Sequence, residues 1–187
     1  MDAEKTVLLI MGSTRASRNC PKITEWIVGI GRAETALTFE TIDLSQWHLP
    51  MDDEPAVPAI GPYQQAHTRA WSEKITNAAG IVFVTPQYNW GYPAVLKNAI
   101  DHLYREWHGK PVFIVTYGGH GGSKCAKQLR QVAAAVKMKI VSKAPGIVLS
   151  NAIIRENADF DPEQDFRRHK KPVKKALVRL ARHLKAA

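Results

Sequence analysis

The side chains best suited to chemistry fall in three short loops. Pro86 to Tyr92 (PQYNWGY) places Gln87, Tyr88, Asn89, Trp90 and Tyr92, five hydrogen-bonding or planar side chains, within seven positions. That density makes a poor connector and a good cradle for a flat ring with polar edges. Gly12 to Asn19 (GSTRASRN) combines the hydroxyls of Ser13, Thr14 and Ser17 with Arg15 and Arg18. At a helix start such a loop can hold a phosphate, because backbone N–H groups and hydroxyls point at the anion and Arg15 or Arg18 adds a bidentate charge. The alternative is a solvated turn whose arginines do nothing specific. Gly118 to Ser123 (GGHGGS) has four glycines in five positions. Its backbone either adopts conformations that other residues resist or lies directly against a ligand, and the ligand is the preferred reading. The first loop carries neither GxGxxG nor GxxxxGK[ST], so a dinucleotide fingerprint and a Walker loop are both excluded there.

Each loop follows a run that reads as a buried strand. Thr6 to Met11, Ile81 to Thr85 and Pro111 to Tyr117 are continuous, β-rich and too short for helices, as expected of strands covered on both faces. After the first loop, Pro21 marks a helix start, and Ile23, Trp26, Ile27 and Ile30 form its apolar face until Gly31 ends it. Pro93 starts a second helix, in which Leu96, Ala99, Ile100 and Leu103 recur at three- and four-residue steps. Ser123 is placed to cap a third, with Leu129, Val132, Ala133 and Val136 inside and Lys124, Lys127 and Arg130 outside. Thr38 to Leu44 suits a strand near the sheet edge. A helix through Trp71, Ile75 and Ala78 ends at Gly80, and Lys139 to Leu149 holds a fifth strand interrupted by Pro145-Gly146.

Alternating strands and helices predict an α/β fold: a flavodoxin-like three-layer sandwich with a five-stranded parallel sheet in the order 2-1-3-4-5. Residues 1–187 form one domain. In such sheets ligands bind beyond the strand C-terminal ends at the switch point between β1 and β3. The three loops meet there, although strand order played no part in selecting them.

Bulk properties exclude several classes. No apolar run approaches the roughly 20 residues needed to span a bilayer, and Asp2 and Glu4 argue against a transit peptide. Cys20 and Cys125 are the only cysteines, which excludes a disulfide framework and a zinc cluster and suits a cytoplasmic protein. Cys125 falls in a helix's first turn, where thiols acidify, but a lone buried cysteine is the commoner case. The net charge of +9 sits wholly in residues 167–187, which hold nine Lys/Arg and no acid. There Val173, Ala176, Leu177, Leu180, Ala181 and Leu184 keep helical spacing, so a basic C-terminal helix over about 162–187 that packs its apolar stripe is favoured over a nucleic-acid or membrane surface. The stretch from Ser45 to Pro62, with four prolines and the acids Asp52, Asp53 and Glu54, is a long irregular connection. Adjacent acids diverge, which argues against a metal there.

A phosphate loop beside two loops suited to a flat ring describes a mononucleotide site. No carboxylate is placed for magnesium in the first loop, so flavin mononucleotide (FMN) suits it better than a nucleoside triphosphate. Backbone N–H groups near Tyr88 and Asn89 can meet the flavin N5 and O4, with Trp90, Tyr92 and Tyr117 fencing the ring.

The segments MGSTR, TPQYNWGYPAVLKNAIDHLYREWHGKP and TYGGHGGSK resemble the three signatures of the NADPH-dependent FMN reductase family, and within it the fungal cytosolic quinone reductase branch. The resemblance spans about residues 5–125. It implies non-covalent FMN, NADPH or NADH as hydride donor, and a quinone, free flavin, azo dye or metal oxyanion as acceptor. Family members are dimers or tetramers; a homodimer is expected here. By position, Ser13 and Arg15, with Ser17 nearby, would hold the phosphate. Pro86, Gln87, Tyr88, Asn89 and Trp90 would line the isoalloxazine, joined by Tyr117, Gly118 and Gly119. Gln87 stands where the family loop commonly has an acid. The expected reaction is two-electron, ping-pong hydride transfer that needs little acid–base machinery, with His120 either a proton donor to quinone oxygen or a solvent-facing loop histidine. A flavodoxin-type electron carrier and a redox-sensing binding module are the competing classes, and the arginines of the phosphate loop weigh against the carrier. Tyr104 and Trp107 are read as either a subunit contact or core.

Overall fold

Alternation along the first strand sets the layering. In the computed structural model, β1 (Thr6–Met11) sends Val7, Leu9 and Met11 to one apolar cluster and Leu8 and Ile10 to another on the opposite face. The structure describes residues 5–51, 53–143 and 145–186; Asp2, Glu4 and Asp52 lie outside them. β2 (Thr38–Asp43), β3 (Gly80–Pro86) and β4 (Pro111–Gly118) complete the body of a parallel sheet. Its order is β2-β1-β3-β4-β5, as expected. The fifth position is divided: β5 (Lys139–Ile140) pairs with the start of β4 and β6 (Gly146–Val148) with its end. Pro145 lies between the two and cannot donate a ladder hydrogen bond, which accounts for the division.

Two helical layers cover the sheet. α1 (Cys20–Glu34) and the terminal helix α7 (Arg167–Lys185) share one cluster with Val82, Val84, Phe113 and Val115. α2 (Ala66–Asn77), α3 (Ala94–Asp101) and α4 (Ser123–Ala135) share the other with Ile81, Phe83, Val112 and Ile114. α7 is therefore a core element: Val173, Leu177 and Leu180 are fully buried, and Lys174 pairs with Glu34 of α1 across the seam. The expected single helix from 162 is broken at Phe166. A short α6 (Pro162–Asp165) precedes α7, and the Phe166 ring is buried against Trp26 and Phe160.

Several helix boundaries differ from the sequence reading. Gly31 does not end α1 but lies within it, where a Cβ would come 2.5 Å from Phe39 Cζ, so its role is close approach of helix and β2. α2 stops at Asn77 and Gly80 opens β3. Pro93 precedes α3 rather than occupying its first turn. Trp71 and Trp107 are both fully buried and donate their indole N–H groups to the Ala99 and Ile100 carbonyls. Trp107 is thus core, not subunit contact.

The long connection after β2 is tethered to α2 and α3. Asn98 donates to the Leu49 carbonyl at 2.8 Å, Glu54 accepts from the Gln64 and Gln65 N–H groups, and Asp53 pairs with His67 at 2.9 Å. Buried His102 contacts Thr68 Oγ1 and the Pro50 carbonyl through its two ring nitrogens. Asp53, His67 and His102 come together here from three separate parts of the chain, which sequence spacing does not reveal.

Candidate functional site

At the C-terminal ends of β1, β3 and β4 the three loops converge and are tied to one another. The Gly12 N–H donates to the Val84 carbonyl at 2.8 Å, the Gln87 N–H to the Tyr117 carbonyl at 3.1 Å, and Ser13 Oγ lies 2.8 Å from the Tyr88 hydroxyl. Together they wall a cleft of about 250 Å³. Ser13, Arg15 and Ser17 line it from the first loop, Pro86, Gln87 and Tyr88 from the second, and Tyr117, Gly118 and Gly119 from the third.

The two arginines of the first loop have different surroundings. Arg18 Nη2 pairs with Asp43 at the end of β2 at 2.5 Å and with Ser45 Oγ at 3.2 Å, so its charge is neutralised within the fold. Burial would raise the Asp43 carboxyl, but the N–H and hydroxyl of Ser45 and the Arg18 guanidinium hold it below the usual carboxylate range. Arg15 is exposed and has no carboxylate partner among the described residues. Its guanidinium carbon rests 3.9 Å from the centroid of the Tyr88 ring, a cation–π contact that leaves its N–H groups for an anion. Beneath it α1 begins with Asn19 at the N-cap, without a side-chain cap and without an acid in the first turn. Its unsatisfied N–H groups and dipole favour negative charge at this point. Among the described residues no carboxylate lines the cleft.

This donor set fits FMN. Ser13, Arg15 and Ser17 with the start of α1 would hold the phosphate, and Gly118 and Gly119, which line the cleft without side chains, leave room for the ring. Burial, followed by the neighbouring Cys20 thiol, pushes the Tyr117 phenol well above its ordinary pKa, so it remains a neutral donor.

Four of the expected residues sit elsewhere. Asn89 and Trp90 form the tip of a two-residue turn between Tyr88 and Gly91, whose N–H and carbonyl groups exchange hydrogen bonds at 2.9 Å. Both have positive φ, +47° and +71°, as a type I′ turn requires, and a tryptophan in that region is strained. Trp90 is 64% exposed, stacks under the Lys124 ammonium and stands outside the cleft. Tyr92 packs against the core beneath α2, α3 and α4. His120 is exposed and lines a neighbouring cleft, not the one holding Arg15.

The Gln87 side chain, at the cleft wall, is held by the start of α4. Its Oε1 accepts from the Lys124 and Cys125 N–H groups at 3.2 and 3.1 Å, capping α4 from another loop. Ser123 makes no cap: Gly122, with φ +73°, occupies the N-cap. Cys125 is fully buried, and burial pushes its thiol up to about 12, which overrides its place in a helix's first turn.

One wall went unread in the sequence. Leu149 and, from α5 (Asn151–Arg155), Ile153 and Ile154 close the cleft, together with Asn157. These apolar residues form too short a segment for periodicity to show that they face a ligand.

The sequence profile described as NADPH-dependent FMN reductase matches residues 6–150. An NAD(P)H-dependent FMN reductase of Schizosaccharomyces pombe is 50% identical over 173 residues, covering 91% of this chain and 86% of its own. A quinone reductase of Escherichia coli is 30% identical over 168 residues, covering 82% of this chain and 83% of its own. The solved structure of FerB, a flavoenzyme NAD(P)H:(acceptor) oxidoreductase from Paracoccus denitrificans, superposes with a TM-score of 0.69 at 22% identity, over 96% of this chain and 98% of that one. The profile match over most of the chain, which takes in all three cleft-forming loops, and the 50% identity to the Schizosaccharomyces pombe reductase lead to one conclusion: the chain belongs to the NADPH-dependent FMN reductase family.

Proposed function

We propose that the protein is an FMN-dependent NAD(P)H oxidoreductase that reduces quinones. One observation carries this reading: a cleft at the switch point of the sheet joins an uncapped helix N-terminus, bare glycine main chain and an arginine, and among the described residues no carboxylate pairs with that arginine or lines the cleft. Ser13, Arg15 and Ser17 would hold FMN there, and the cofactor would supply two-electron hydride chemistry between NAD(P)H and the acceptor. Overall NAD(P)H, one proton and a quinone become NAD(P)⁺ and hydroquinone.

The chain's own part is to bind and orient. Arg15, Ser13 and Ser17 would anchor the phosphate, and Gly118 and Gly119, which lack side chains, would leave room for the ring. Ile153 and Ile154 keep water from one side of the cleft. Holding two reactants face to face is the principal rate effect available to such a site. The quinone acceptor follows the activity named for the Escherichia coli relative. Exposed Met51, Val57 and Ile60 on the long connection support a homodimer that covers them. The two free, buried cysteines support a cytoplasmic setting. Among the described residues no helix is long and apolar enough to cross a membrane.

The visible spectrum of the purified protein, before and after anaerobic NADPH, tests the reading. A yellow protein that bleaches and recovers its colour on addition of a quinone is expected. A colourless protein that takes up no FMN would overturn it.

A further inference from the structure

Beside the cleft just described lies a larger one of about 830 Å³, between α4 and the edge formed by β5 and β6. The glycine loop is the partition. Gly118 and Gly119 line the first cleft, His120 and Gly121 the second. Lys127, Arg130 and Lys143 also line the second, and among the described residues no acid does. None of the three forms an ion pair or side-chain hydrogen bond among the described residues, whereas Lys22, Lys74, Lys97, Lys170 and Lys174 each pair with an acid. Lys127 and Arg130 are three residues apart on α4 and so share a face. Ile140 and Val148 give the floor an apolar patch.

A hydride donor that stacks its nicotinamide in the first cleft must lead its diphosphate and adenosine out over an adjoining surface. The second cleft is that adjoining surface, and it offers cations to phosphate and an apolar floor to adenine. We propose that it receives the adenosine 2′-phosphate of NADPH, with Arg130 as the bidentate contact and Lys127 and Lys143 as supporting charges, and that the protein therefore prefers NADPH to NADH. An arginine suits this role because its planar fork matches phosphate geometry. The proposal rests on the oxidoreductase reading above.

Two measurements on the FMN-loaded protein test it. In the first, 2′,5′-ADP and 5′-AMP are titrated calorimetrically. The 2′-phosphate is expected to strengthen binding by roughly tenfold, the size of one lost charge-assisted hydrogen bond, with an advantage that falls as salt rises. In the second, KM for NADPH and for NADH is compared in wild type, Arg130→Ala, Lys127→Ala and the distant control Lys170→Ala. Arg130→Ala should raise KM for NADPH by roughly tenfold and move that for NADH far less, with Lys127→Ala in the same direction and Lys170→Ala without effect. Equal binding of the two nucleotides, or equal weakening of both donors in Arg130→Ala, overturns the assignment. If wild type oxidises neither donor, the oxidoreductase reading fails, and the 2′,5′-ADP titration still decides the phosphate site.

Discussion

Replacing each loop arginine in turn separates their two roles. Arg15 is exposed and faces no carboxylate, so Arg15→Ala removes mainly what it gives to the cofactor phosphate. A charge-assisted contact of that kind contributes about 1.5–3 kcal/mol, or roughly 10- to 150-fold in the dissociation constant for FMN, with little effect on the fold. Arg18 is the reverse. Its side chain is 17% exposed and its partner Asp43 13%, so Arg18→Ala leaves a largely buried carboxylate with only Ser45. The cost lies between that of a surface pair and a fully buried one, about 1–3 kcal/mol of stability. That corresponds to several degrees of melting temperature for a chain of this length. The pH dependence has a definite sign. Because the folded carboxyl is held below its unfolded value of about 3.9, its stabilisation is fully present above that pH and is lost as pH falls through the folded value. The deficit of Arg18→Ala should therefore be present at neutral pH and shrink in acid. Fluorescence titration of apoprotein with FMN, paired with thermal melts from neutral pH to about pH 3, reads both effects. Wild-type FMN affinity in Arg15→Ala, or a larger loss of affinity in Arg18→Ala, would refute the division of roles.

Other perturbations follow from single contacts. Gly31→Ala should destabilise by roughly 1–3 kcal/mol in urea unfolding, because its Cβ would stand 2.5 Å from the buried Phe39 ring; Phe39→Leu in the same chain should recover part of the loss. Gln87→Ala should cost about 1 kcal/mol by uncapping α4. Gln87→Glu should instead gain a few tenths to about 1 kcal/mol, since it keeps both acceptors and adds a negative charge at the helix N-terminus. Burial pushes Cys125 up to about 12 and also raises Cys20. Neither thiol should react with a disulfide reagent at pH 8 until the protein is unfolded, and rapid labelling of the native protein would contradict that environment.

The sequence alone determined what repeats locally. Thr6–Met11, Gly80–Pro86 and Pro111–Gly118 are legible as strands because both faces are buried and the apolar run is unbroken. The order of elements then leaves few topologies, and the glycine and hydroxyl loops fall at one sheet edge. Even the core role of α7 was readable, because its leucines keep helical spacing through a run of lysines and arginines. Only the tertiary structure decided which of two similar residues does what. Arg15 and Arg18 look alike in the chain, and they differ because Asp43 arrives from β2, 25 residues away from Arg18. Gln87 caps a helix that starts 36 positions later, and His120 faces the basic cleft because the glycine loop is a thin partition. Periodicity records which face of an element is buried, whereas a side chain's partner depends on where distant elements bring their charges and N–H groups. The anion site was thus visible as a loop, but its free cation was not.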